Sequence, residues 1–300
     1  MKYPTAMVFQ ALNSSSAPLR HSFLPHHQTP LSFLCPSLNV PGGFRPCNAR
    51  FGLRRKRSSM TVSASSKLSL GSNTDRKRKV VEHICLLKAK DNIPEKEENN
   101  MLDYLYTSQY QMGGIVAISL GQITDQNNER YTHAVFMRFQ RKGDLLKFYE
   151  NPFYLKVLEK HVMPHCHGLI NVDYEAEVED DMLPIFRKGE EFNFGEEFVL
   201  LISFVDSALG GPAEDALASL QKLTKEFPSL IVQLTQGLNF HPSNKEFTHG
   251  IVIRFRSIEA LEIFFGSSEY KDMWRSKFEP ITQKTLALHF SVNPIGTEIM

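Results

Sequence analysis

Apolar and polar residues alternate along "YTHAVFMRF" (131–139), which sets Tyr131, His133, Val135, Met137 and Phe139 on one face of an extended chain and Thr132, Ala134, Phe136 and Arg138 on the other. The pattern returns 116 residues later, where "NKEFTHGIVIRF" (244–255) echoes "NERYTHAVFMRF" (128–139). At that offset 115–154 aligns with 231–270 without a gap. Eleven of the forty positions are identical, among them Gly121/Gly237, His133/His249, Arg138/Arg254 and Tyr154/Tyr270. A shift of 115 lays "EHICLLKA" (82–89) over "EFVLLISF" (197–204). Chance does not produce this; the body of the chain is a duplication.

Each copy predicts the same order of elements. A first strand (roughly 80–88, then 196–204) leads to a helix (95–110, then 213–226) and an Ile/Val-rich strand (114–122, then 230–237). Turn residues in "TDQNNE" and "HPSNKE" precede the Thr-His strand. A helical region follows (142–163, then 258–280), broken in the first copy by Asn151-Pro152, and "LINVDYE" or "LALHFSV" closes the unit. This β-α-β-β-α-β order is ferredoxin-like. A lone unit covers only one face of its sheet, so an α+β fold is expected in which the two units pack sheet to sheet as an intramolecular α/β barrel. The first domain is placed at 79–176 and the second at 195–293, with an acidic linker at 177–194 and a tail at 294–300. Linker residues Met182, Leu183, Ile185 and Phe186 are apolar enough to pack across a groove.

Charge changes the picture at the N-terminus. No Asp or Glu occurs from Met1 to Thr74, a stretch rich in Ser and Pro that carries Arg45, Arg50 and "RRKR" (54–57). Such a leader reads as an organelle transit peptide over 1–64, cut near Ala64, with 65–78 as a flexible segment. Its length and Ser/Pro content point to the plastid stroma; the terminal "EIM" gives no peroxisomal signal. The alternative is a basic tail for polyanions. Without the eight basic residues of 1–64, 26 Lys+Arg face 33 Asp+Glu, a net charge of −7. A body so charged repels phosphate backbones, which argues against nucleic acid as a partner. No apolar run is long enough for a membrane helix. Of the four cysteines only Cys85 and Cys166 lie beyond 1–64, too few for a disulfide framework, which suits a reducing compartment.

The opening "VEHICLLKAK", the glycine-ended second strand, "YTHAVFMRF" and a helix followed by "NPFY" resemble the stress-responsive dimeric α/β-barrel (Dabb) family, and both repeats carry the likeness over about 79–293. Two such domains behind a leader are similar to its tandem-domain plant members. The resemblance implies a small, heat-stable, stress-induced protein that associates through its barrel. One branch of the family cyclises a linear polyketide by aldol chemistry with a Tyr and a His as acid/base pair. Here the tyrosine falls on Phe148 and Phe264, and the histidine on Tyr154 and Tyr270. The opening-strand histidine matches His83 but Phe198 in the second copy; the third-strand histidine matches His133 and His249. Some members hold magnesium on main-chain carbonyls near the end of the first helix, which would fall at Tyr106–Gln109 and Lys222–Phe227.

The expected role is therefore a non-catalytic scaffold or protective one, with self-association and no cofactor beyond such a magnesium ion. The competing expectation is a barrel that acts on a small hydrophobic carbonyl compound through His83, Tyr131 and His133, with Tyr154, His249 and Tyr270 as further pocket candidates. His161, His165, His167 and Cys166 form the tightest group of metal-ligating types, but Pro164 interrupts it, and surface histidines are expected. Trp274, Phe264 and Phe265 are expected to fill core. Arg138 and Arg254 are expected to pair with helix acids or to end the apolar face.

Overall fold

The computed structural model describes residues 77–124, 127, 129–182 and 195–292. The leader drawn at 1–64, most of the segment at 65–78, linker residues Leu183, Ile185 and Phe186, and the tail at 294–300 lie outside them. The first half runs β1 (Lys77–Ala89), α1 (Glu95–Gln111), β2 (Ile115–Gln122), β3 (His133–Phe139), α2 (Lys142–Tyr149), α3 (Pro152–Val157) and β4 (Cys166–Glu179). The second repeats it as β5 (Glu196–Phe204), α4 (Gly211–Lys225), β6 (Ile231–Leu238), β7 (His249–Phe255), α5 (Ile258–Gly266), α6 (Ser268–Met273) and β8 (Thr282–Ser291). Each half is a four-stranded antiparallel sheet, ordered β2-β3-β1-β4 and β6-β7-β5-β8. The closing strand β4 extends through residues 177–179, which pair with Lys77–Lys79 of β1.

Local chemistry explains the helix breaks. The Asn151 side chain accepts from the Phe153 amide at 2.8 Å and Pro152 opens the next turn, so α3 starts afresh. In the second half Ser267 caps Tyr270 in the same way, at 3.2 Å. Each short helix then widens into a π turn, Leu158–Val162 and Trp274–Phe278.

Burial falls into three layers. On the helix side of the first sheet lie Val135, Met137, Phe139, Phe148 and Tyr154. On the helix side of the second lie Ile251, Ile253, Phe255, Phe264 and Phe265, with Trp274 packed against them. Between the sheets, Ile84, Phe136 and Val172 of one half meet Val199, Val252 and Leu288 of the other. Each such side chain contributes about 1.5–3 kcal/mol by leaving water, so neither sheet has to face solvent alone.

The edges meet as well. Strand β2 lies along β8 and β4 along β6, with one bridge from Ile123 to Phe290 and a bond from the Phe240 amide to the Asp173 carbonyl (2.8 Å). The repeated glycine of the second strand is what lets these seams close. A Cβ at Gly121 would overlap the Ser291 carbonyl oxygen, and one at Gly237 would stand 2.5 Å from that of Glu175.

Candidate functional site

Two buried polar systems occupy this frame. The first lies between the sheets. Glu82 stands opposite Arg138 on adjacent strands, and Glu197 opposite Arg254. Arg138 donates from Nε to both Glu82 oxygens (3.0 and 3.1 Å), from Nη2 to Glu82 Oε1 (2.6 Å), and from Nη1 to the Met182 carbonyl (2.8 Å). Arg254 Nε donates to Glu197 Oε1 at 2.9 Å, and Ser119 of the opposite half donates to the same oxygen at 2.8 Å. Gln233 joins the two pairs: its Oε1 accepts from Arg138 Nη2 (2.7 Å) and Arg254 Nη1 (3.1 Å). All four charged side chains are essentially inaccessible to solvent. The expectation that these arginines pair with helix acids, or merely end the apolar face, is thus corrected. Their acids come from the neighbouring strands, because opposite positions in an antiparallel pair bring side chains together on one face.

The second system lies on the helix side of the first sheet. His83 of β1 stands opposite Asp173 of β4, with His83 Nδ1 2.7 Å from Asp173 Oδ1. Tyr149, the last residue of α2, donates its hydroxyl to Asp173 (2.9 Å to Oδ2) and lies 3.1 Å from His83 Nδ1. Burial, then the adjacent Asp173 charge, pushes the Tyr149 phenol far up, so it stays protonated. The His83 Nε2 atom is buried and has no hydrogen-bond partner among the described residues. The second half reaches across this cluster: Asn239 accepts from the Asp173 amide at 3.2 Å, and the His241 ring packs on Tyr149 at 5.6 Å. In the second half the same positions carry Phe198, Phe265 and His289, with the two phenyl rings 4.5 Å apart.

The three residues expected to hold a carbonyl ligand do not converge. Tyr131 turns into the layer between the sheets, away from the helix-side His133. The alternation fails there because Tyr131 precedes β3: Asn127 holds both its amide and its carbonyl (2.9 and 2.7 Å), and Arg130 before it is left-handed (φ 57°). His133 bonds Glu98 of α1 through Nε2 (2.7 Å) and Thr132 through Nδ1 (2.9 Å). Burial lowers its proton affinity although Glu98 opposes this. His133 also lies beside Leu87, four residues along β1 from His83. His249 meets Thr248 (3.0 Å) and Phe204, and Tyr154 and Tyr270 are buried among rings. Sequence pattern does not single out Tyr149, Asp173, Glu82 or Gln233; the repeated Glu82/Glu197 inside an apolar strand is the available signal.

The metal-ligating types also disperse. His161 stacks on Tyr104 at 3.6 Å, His165 sits 3.8 Å from Glu97, His167 is exposed, and Cys166 is buried against Met101. Among the described residues no three His, Cys, Asp or Glu side chains gather to hold a metal. At the neighbourhood read for magnesium, the Tyr106 carbonyl already accepts from the Gln109 side chain (3.2 Å).

Burial pulls His249 down from its ordinary 6.5 to about 4. As pH falls, the unfolded chain therefore takes up this proton before the folded chain does. Stability is full above pH 6.5 and is withdrawn between about 6.5 and 4. His249→Asn is expected to flatten the fall in unfolding free energy across that window by about 2 kcal/mol, after allowance for solvent at its rim. Urea titrations at pH 7 and pH 4.5 measure it; an unchanged slope would show that His249 is not the group responsible.

Comparison with known proteins agrees with the geometry. The family model described as Stress responsive A/B Barrel Domain matches twice, at residues 81–176 and 199–292. A stress-response A/B barrel domain-containing protein of Arabidopsis thaliana is 22% identical over 227 residues, covering 75% of this chain and 83% of that protein. Among solved structures, an anthrone oxidase-like protein (TM-score 0.52, 8% identity) and a putative monooxygenase from Fusobacterium nucleatum (TM-score 0.51, 10% identity) each cover 72% of this chain, and 92% of their own lengths is covered in return. At such identities the likeness is one of fold.

Proposed function

Because this chain belongs to the stress-responsive A/B barrel family through both of its halves, we propose that it serves as a non-catalytic protective barrel, one whose use lies in staying folded under stress. The observation that carries this reading is the aromatic filling of both helix-side interiors. Phe148 packs on Tyr154 at 3.9 Å and Phe264 on Tyr270 at 5.2 Å, at the positions where the cyclising branch has its proton-transfer pair. Phenylalanine transfers no proton, and burial raises both tyrosines well above 10. Neither can act as a base near neutrality. The purified chain, heated with a thermolabile enzyme, is expected to prolong that enzyme's activity and to leave a linear poly-β-keto thioester at the buffer rate. Turnover above buffer that disappears in Tyr154→Phe would sink the reading.

A second reading is favoured by the asymmetry at His83. The second half builds the same frame with Phe198 and Phe265, so the fold does not require the Asp173–His83–Tyr149 cluster. With Nδ1 turned to Asp173, Nε2 is the unpartnered ring atom, and a small hydrophobic carbonyl compound would reach it by displacing the rings that bury it. On this reading His83→Phe/Tyr149→Phe/Asp173→Leu, which leaves no carboxylate stranded, abolishes binding of cinnamaldehyde while the fold is kept. Unaltered binding in that variant removes it. For location, the plastid remains our proposal; a fluorescent fusion with and without residues 1–64 tests it, and identical distributions would reject it.

A further inference from the structure

We propose that the cavity at the β4–β6 seam binds a small amphipathic carboxylate, with Gln233 as its hydrogen-bond donor and Lys225 as its counter-ion. The cavity measures about 340 Å³, within the range of small-molecule sites. Met182, Ile231 and Leu234 supply apolar wall. Gln233 supplies direction. Its carboxamide oxygen is held inward by two guanidinium groups, at 2.7 and 3.1 Å. A planar carboxamide so fixed turns its NH2 group the other way, and Gln233 lines the cavity. The donor is therefore preorganised by the same network that joins the two halves.

The charges around it favour an anion. Of the acids that line the cavity, Glu179 faces Lys77 and Glu177 faces Lys79 in the β1–β4 register. Each acid thus has a basic cross-strand neighbour. Lys225, which also lines the cavity, is positive and comes from the second half. Carboxylate at the Gln233 amide and Lys225, tail against Met182 and Ile231, is the arrangement that satisfies both walls. The first-half counterpart of Gln233 is Ala117, which offers no such donor, so one site per chain is expected. The site shares no residue with the His83 cluster and stands whether or not that cluster binds anything.

Octanoate is the probe, titrated into the full chain by calorimetry and by methyl NMR of Met182, Ile231 and Leu234. Binding at one site per chain is expected, with a dissociation constant of about millimolar or tighter and octanol at least about tenfold weaker. Lys225 is exposed on α4, so Lys225→Glu should keep the fold. It should weaken octanoate about tenfold and leave octanol unchanged. The proposal is overturned if those methyls do not move, if octanol binds as well as octanoate, or if Lys225→Glu binds octanoate normally.

Discussion

Arg138→Met lowers the unfolding free energy by about 3–5 kcal/mol, because it strands Glu82 as an unpaired charge between the sheets. Glu82 is wholly buried, and three of the hydrogen bonds to its carboxylate come from this one guanidinium. The loss also frees the Met182 carbonyl and one side of Gln233. Glu82→Leu/Arg138→Met should recover most of the deficit, since an apolar pair of similar volume needs no compensation. Equilibrium urea unfolding of the two variants decides it. If the double variant is as unstable as the single one, the cost lies in packing against Phe136 and not in the stranded carboxylate.

Gly237→Ala has the next largest effect, about 3 kcal/mol of destabilisation. Its new methyl would stand 2.5 Å from the Glu175 carbonyl oxygen and 3.0 Å from the Tyr174 ring. Backbone cannot swing aside as a lysine tip can, so β4 and β6 must part. As a control, Gly143→Ala on α2 meets nothing within 4 Å and should be neutral or slightly stabilising. Thermal melting of both variants is the measurement; a Gly237→Ala protein that melts with the parent would show that the seam yields freely.

The duplication made the fold legible. Periodicity placed the strands, and the unpaired face of each sheet required the other. It also pointed at Gly121/Gly237 and Arg138/Arg254 as repeated, and their shared setting at the seam and between the sheets accounts for that. The His83 cluster and Gln233 were harder to read because their partners are not repeated. Gln233 answers to Ala117, Asp173 to His289 and Tyr149 to Phe265, so self-comparison passes over them. Tyr131 misled for another reason. Alternation is a property of a paired strand, and Asn127 fixes Tyr131 two residues before pairing begins. The pattern grouped His133 with Val135, Met137 and Phe139 but named neither the side of the sheet that they face nor its partner. Glu98 belongs to an element thirty-five residues earlier, and only tertiary packing chooses among the acids of that helix.

The paired seams have one more consequence. A four-stranded sheet ordinarily presents two outer strands whose amides and carbonyls can recruit a neighbouring molecule, the first step toward amyloid-like fibres. Here β2 lies against β8 and β4 against β6, so the outer strands of each half are covered by the other, with bonds at Ile123–Phe290 and Phe240–Asp173. While the halves stay closed, crowding and heat find little backbone to template on, and resistance to aggregation is a property of the joint and not of either domain.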